Sequence, residues 1–405
     1  MLIETFIRKQ LKLKAHRVSQ VEQIEQTVVI HIDRLGNRRL RCAQCGRPGR
    51  RVHDVRPVRQ WKDLSMRGVS LLLRYQPRRV ECRDCGVHVE AFPWAEPWAR
   101  VTRALAGAVT VMARSQSWQE TGRVYALNWK SVASIVRRAV DYGLAQRRQQ
   151  PLHHLGIDEV SRKKGHQYLT VVYDLERRVL VWVGVDRTEA TLQKFFTALG
   201  VRRCATVRIV CMDMWAAYAN AVRQQLPNAQ ILFDRFHVVQ HLNRALDEVR
   251  RSEMRRLSRR ERVHFKRCRY ILLKNPWNLS NSEKDRLSTL IRWNSPLIRA
   301  YYLKEAFQMF WDITEPRLAE THLLKWMSTA KRTRLTPFKV FVQLLAAHLD
   351  GILAWTNLRL SNGALEGMNN KIKLVSHRGF GFRNASNFIT AIYHCCAKLP
   401  LPLWT

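Results

Sequence analysis

Acidic residues are scarce in this sequence of 405 residues: 32 Asp and Glu stand against 70 Lys and Arg, which leaves a formal charge of +38 and a pI near 10.9. The excess is spread along the chain and is not gathered in a tail. It names a polyanionic partner, with a ribosome-associated or membrane-surface protein as the bland alternatives, and it names no chemistry. Long apolar runs are also missing. Stretches such as Val179 to Val185 fall far short of the roughly 20 residues that a membrane helix needs. Met1 to Lys14 is basic and amphipathic, without the apolar core and cleavage site of a signal peptide. Cysteine is sparse too: of nine, four fall in two C-x-x-C pairs, and the other five show no disulfide framework. A soluble protein of a reducing cytoplasm is expected.

The length allows two to four domains, and the pattern of residues suggests where they lie. Cys42-x-x-Cys45 and Cys82-x-x-Cys85 are each followed by glycine and are separated by 36 residues containing strand-like segments such as Val69 to Tyr75. Two such knuckles have the form of a zinc ribbon, in which four thiolates hold one tetrahedral Zn²⁺. His53 and His88 are not needed as ligands. Large core residues look few, so the metal is expected to hold this module together.

Residues 99–150 read as helical. Ser117-Trp118-Gln119-Glu120 has a capping-box pattern, and Asn128 can cap a helix whose Val132, Ile135, Val136, Ala139 and Val140 repeat at helical spacing until Gly143 offers a stop. A brief turn near Ala126 makes the pair resemble a helix-turn-helix. Lys130, Ser131, Ser134, Arg137 and Arg138 lie away from the apolar stripe, where they can reach phosphates or base edges. A helical linker with a solvated basic face is the competing reading.

Beyond Pro151, strands are expected over His154 to Val160, Gln167 to Leu175, Arg178 to Val185, Ala205 to Met212 and Ala229 to Phe233, with helices over Glu189 to Leu199 and Ala216 to Leu226. This order describes a mixed sheet covered by helices, and it is the order of a ribonuclease-H-like core. From about His237 to Ala354 strand signals vanish. An arginine-rich helical insertion follows, whose Trp277, Trp293, Trp311 and Trp326 are expected mainly as core.

Two of the apolar strands close on an acid, Ile157-Asp158 and Met212-Asp213, with 54 residues between. A carboxylate there is costly unless paired or bound to a metal. Either acid alone could be a turn residue or a cap, as Asp174 and Asp186 are expected to be. Glu159 competes with Asp158, although strand alternation turns the two to opposite faces. A third acid opens a helix from Ser361 to Lys373, where Glu366, Asn369, Asn370 and Lys373 share one face. Three carboxylates suit two Mg²⁺ or Mn²⁺ ions, which can stabilise both the attacking and leaving oxygens of an in-line displacement at a phosphodiester.

Together these residues resemble the ISL-three (ISL3) family of bacterial insertion-sequence transposases. The likeness rests on the C-x-x-C pairs, the helix pair, Gly156 to Glu159 with Lys164-Gly165-His166, Asp213-Met214 with Tyr218, and Asp234-Arg235-Phe236-His237. It extends through Asn362-Gly363, Glu366 to Asn369, Lys371 to Lys373 and Gly381 to Asn384. The resemblance implies a multidomain α+β protein: a zinc-ribbon domain at 1–98, a helix-turn-helix at 99–150, a ribonuclease-H-like DDE core at 151–240 and 359–405, and an all-helical insertion at 241–358. It implies Asp158, Asp213 and Glu366 as the catalytic triad, with Asp234, His237, Asn370 and Lys373 in second rank. It also implies double-stranded DNA as partner, at terminal inverted repeats and at the target, and a nucleoid-associated enzyme that assembles as a dimer or higher when two ends meet. A non-catalytic DNA-binding regulator and a nuclease without strand transfer are the alternatives.

Overall fold

The computed structural model describes residues 3–402 except 14, 37, 38, 164, 166, 264, 294 and 359–362. Lys14, Lys164, His166, Ser361 and Asn362 thus lie outside the described residues, as does the side chain of Trp293. The chain divides into two compact units, one of Met1–Arg148 with Val375–Thr405 and one of Gln149–Leu374.

In the first unit, segments rich in β-branched residues pair into a four-stranded sheet in the order His16–Ile24, Thr27–Arg34, Ser70–Tyr75, Arg59–Lys62. The two central strands run parallel and the outer ones antiparallel to them. A second, antiparallel sheet joins Val52–Val55, Arg78–Cys82 and Gly86–Val89. The expectation that large core residues are few here is corrected. Trp61, Tyr75, Phe92 and Trp94 are buried together, with ring centroids 5.1 to 6.1 Å apart. Each buried aromatic contributes on the order of 2 kcal/mol, so the metal is not the sole support. Buried Glu90 is satisfied by the Tyr75 hydroxyl and the Arg78 N–H, both at 2.8 Å.

The helices Trp118–Val124 and Trp129–Ala145 are capped as expected: Ser117 Oγ accepts from Glu120 N at 3.0 Å, and Asn128 Oδ1 from Lys130 N at 2.9 Å. Their turn is tight. A Cβ at Gly122 would lie 2.5 Å from the Leu127 carbonyl oxygen, and Ala126 takes a φ of +49°. Gly143, however, does not stop the second helix. A Cβ there would sit 2.7 Å from Leu399 Cβ, so the glycine makes room for the returning C-terminal segment.

The second unit is built on a five-stranded sheet ordered Val179–Val185, Gln167–Asp174, His154–Lys163, Ile209–Met212, Gln230–Phe233. The first three strands are antiparallel, and the last two run parallel to His154–Lys163. Leu155, Ile157, Val172, Val210 and Met212 form one core with Phe195 and Phe196 of the helix Glu189–Leu199 and with Tyr218 and Val222 of the helix Ala216–Gln225. The strand expected from Ala205 begins only at Ile209, after a helical turn over Val201–Cys204. Asp174 is a turn residue, accepting from Glu176 N and Arg177 N, and Asp186 adopts φ +72°. From Asp234 to Leu358 the described residues form no strand. Here Phe307 packs within 4.9 to 6.1 Å of Trp311, Trp326 and Phe341, while Trp277 is exposed. No single helix among the described residues is long and apolar enough to cross a membrane.

Candidate active site and cysteine cluster

The acids of the second unit are placed by their strands. The parallel register sets His154, Leu155 and Gly156 beside Ile209, Val210 and Cys211. Continued by two residues, it brings Asp158 level with Asp213. Gly156 admits the third element: a Cβ there would fall 2.5 Å from Leu365 Cδ2, so only glycine lets the helix Gly363–Arg378 lie this close, one residue from Glu366. On the next turn of that helix Asn369 is buried; its Nδ2 donates to Asp158 Oδ2 at 2.5 Å, and its Oδ1 accepts from the Tyr173 hydroxyl at 2.8 Å.

Asp234 ends its strand by donating its N–H to the Met212 carbonyl, then caps the helix Arg235–Arg256 through Phe236 N at 2.7 Å. His237 lies between two carboxylates, Nδ1 3.8 Å from Asp213 Oδ2 and Nε2 3.9 Å from Asp234 Oδ2. A cleft of about 810 Å³ opens here, with Asp158, Asp234, His237, Glu366, Asn369 and Lys373 in its wall. Asp213 is not in that wall and is connected to it by His237. Burial pushes the Asp158 carboxyl up, against the opposing pull of the Glu159 N–H, of His237 and of the Asn369 amide.

Glu159 also borders the cleft, but its carboxylate is engaged elsewhere. Arg187 Nη1 donates to Glu159 Oε1 at 2.9 Å. The same guanidinium lies over the rings of Tyr168 at 4.5 Å and Trp215 at 4.7 Å, and Trp215 Nε1 donates to the Arg187 carbonyl at 3.3 Å. Arg187 thereby joins the residue after Asp158 to the second residue after Asp213. Of the second-rank residues, Asp234, His237 and Lys373 face the cleft; Asn370 is exposed and absent from its wall, and Asn369 takes the place expected for it.

In the first unit the four thiols of Cys42, Cys45, Cys82 and Cys85 lie within 4.8 Å of one another, a group that could hold a metal ion. Zinc with four sulfur ligands at about 2.3 Å requires sulfurs roughly 3.8 Å apart, and Cys45 and Cys82 are at 3.5 Å. Gly46 and Gly86 supply the left-handed turns, at φ +71° and +78°. The backbone N–H groups of Asp84 and Cys85 lower the Cys82 thiol to about 7, while the neighbouring Cys45 thiol pushes Cys85 up to about 12. Such crowded thiols ionise together only around a cation. The His88 ring bonds the Cys85 carbonyl through Nε2 at 2.7 Å. Among the described residues the carboxylates of the cleft form no group gathered as closely as these thiols.

A family model described as a transposase, DDE_Tnp_ISL3, matches residues 155–392. The transposase of insertion sequence element IS1001 from Bordetella parapertussis is 31% identical over 355 residues, 87% of either chain. The transposase of IS1557 from Mycobacterium tuberculosis is 32% identical over 373 residues, covering 86% of this chain and 84% of its own. The chain belongs to the ISL3 family of insertion-sequence transposases.

The family match spans every acid of the cleft and begins beyond the cysteine cluster. In this transposase the five residues expected to face DNA, Lys130, Ser131, Ser134, Arg137 and Arg138, are all exposed on one helix, opposite buried Val132, Ile135 and Val136. Two are partly engaged: Arg137 Nη2 donates to Asn387 Oδ1 at 3.0 Å, and Arg138 reaches Ser134 Oγ at 3.3 Å.

Proposed function

We propose that this transposase cuts and joins DNA at its element's ends, with Asp158, Asp213 and Glu366 as the metal-binding triad of a ribonuclease-H-like core. The observation that carries the reading is the juxtaposition of Asp158 and Asp213 on neighbouring parallel strands, in a sheet of order 3-2-1-4-5, with Glu366 in the same cleft wall as Asp158. The donor set fits Mg²⁺ or Mn²⁺: hard carboxylate oxygens, one of them destabilised by burial and in want of a cation. Two such ions, when bound, would supply Lewis-acid polarisation of the scissile phosphate.

The chain's own residues do the rest. Asn369 fixes the Asp158 carboxylate, His237 sits where it can pair with both Asp213 and Asp234, and Lys373 offers the wall an ammonium for a phosphate oxygen. Residues 1–98, as a ribbon around one structural Zn²⁺, and 99–150, as a helix-turn-helix, bind the terminal inverted repeats. Residues 151–240 and 359–405 form the core, interrupted by the helical insertion 241–358. Pairing two ends calls for at least a dimer.

The test is cleavage of a duplex carrying the element's ends, with Mg²⁺ or Mn²⁺. Asp158→Ala, Asp213→Ala and Glu366→Ala are expected to abolish cleavage and keep end binding. Undiminished cleavage by any of them would remove that residue from the triad.

A further inference from the structure

The cleft is larger than its carboxylates need. About 810 Å³ is the size of a small-molecule pocket, and its wall continues past the acids onto elements that hold none of them. Phe236 stands in the first turn of the helix Arg235–Arg256, lines the cleft and is 62% exposed, so its ring is open to a ligand there. Asn243 follows two turns later on the same face. Asn275, Gln308 and Trp355 complete this part of the wall.

We propose that this region is a nucleobase pocket, which takes one unstacked nucleotide of the bound DNA. The inference rests on the reading of the cleft as a DNA-cleaving site. Three observations support it. First, the region offers aromatic faces. Trp355 is held by the Trp311 ring at 5.1 Å and by the Arg235 guanidinium at 5.9 Å, while Phe236 faces the open cleft. Second, its polar groups are carboxamides, which match the donor and acceptor edges of a base. Gln308 Nε2 meets Asn275 Oδ1 only at 3.4 Å, and Asn243 Oδ1 is buried without a hydrogen-bond donor, a state that a ligand can relieve. Third, its one charged member, Arg235, is occupied by the rings of Trp311 and Trp355. The wall therefore suits a neutral planar group better than a phosphate. An enzyme that must bend a duplex to bring one phosphodiester to buried acids gains by extruding the adjacent base, since stacking on an aromatic side chain repays the lost base stack.

The experiment is a cycle between protein and DNA. Duplex ends carrying a single abasic nucleotide, stepped through the positions flanking the cleavage site, are cut in Mg²⁺ by the parent protein, by Phe236→Ala and by Phe236→Trp. On intact ends Phe236→Ala is expected to cut roughly 5- to 150-fold more slowly, the span of one base–aromatic stack, while Phe236→Trp keeps the parent's rate. At one abasic position the parent and Phe236→Ala are expected to become equal, because no base remains to be stacked. Exposure of Phe236 lets the variant fold, which circular dichroism checks. A Phe236→Ala penalty of the same size at every abasic position, or no penalty on intact ends, would overturn the pocket. Failure of the parent itself to cut the ends would instead overturn the reading beneath it.

Discussion

On the proposed reading, the four thiols and the cleft acids are two answers to the same problem of holding a cation. The thiols are tightly gathered: two glycine turns draw four sulfurs within 4.8 Å, with Cys42 and Cys82 buried and Cys45 at the surface. The carboxylates are open. Asp158 comes from the middle of one strand, Asp213 from just beyond the end of its neighbour and Glu366 from a helix; Glu366 is exposed, and the wall it shares with Asp158 also holds amides, a lysine and aromatic rings. Closed sites of soft ligands stabilise a fold, whereas open sites of hard ligands leave positions for a substrate. On that reading, tightness of ligand packing is what would separate a supporting centre from a working one.

That contrast can be broken at several points. The largest effect is expected from Asp158→Ala, which should slow cleavage on the order of 10³-fold or more, measured in single turnover, with zinc content and end affinity unchanged. Loss of zinc in this variant would show that the two centres are not independent.

Acid should act on the cysteine-bearing unit through another group. Burial, aided by the nearby charges of Arg114 and Arg378, lowers His394 to about 4. The folded pKa lies below the unfolded value near 6.5, so the stabilisation is complete above about pH 6.5 and fades as pH falls toward 4. The loss is about 3 kcal/mol, readable as a falling denaturant midpoint. His394→Gln should flatten the slope in that window, and an unaltered slope would rule the residue out.

A smaller effect is expected from Cys82→Ser. The metal should leave, as elemental analysis can show, and end affinity should fall by about tenfold or more. The near-ultraviolet signal of Trp61 and Trp94 should persist, because their cluster is built without the thiols. Collapse of that signal would restore the metal as main support.

The mildest case is Arg187→Ala. It frees Glu159 and Trp215, on the two sides of the acid pair, and should slow cleavage about tenfold through misplacement of Asp158 and Asp213, with end affinity kept. Arg187→Lys should recover little, since an ammonium cannot lie flat between two rings. Equal rates in the parent and Arg187→Ala would show that the strut has no bearing on the acids.

Much of the second unit was legible in the sequence, because an apolar segment buried on both faces and followed at once by Asp occurs twice, before Asp158 and before Asp213. The choice between Asn369 and Asn370 was not. Both fall on the face shared with Glu366, and only the rotation of the helix, set by Leu365 against Gly156, decides which amide reaches Asp158. The strut at Arg187 was hidden for a similar reason: its partners Glu159, Tyr168 and Trp215 come from three separate segments. In the first unit Trp61, Tyr75, Phe92 and Trp94 come from three separate segments, so their cluster becomes visible only once the sheet is assembled. Gly143 looked like a helix stop because its true neighbour, Leu399, is 256 residues away.

That return of the chain has a consequence for biosynthesis. The helix Trp129–Ala145 is finished only when Ala385–Cys396 and the residues behind it arrive, with Asn387 for Arg137 and the Leu399 side chain against Gly143; the Leu399 carbonyl likewise serves Arg114, just after the helix Arg103–Met112. On the ribosome all of 149–374 is made in between. The unit begun first is therefore completed last, and a nascent chain that stops short of Ala385 leaves Arg114, Arg137 and Gly143 without their partners.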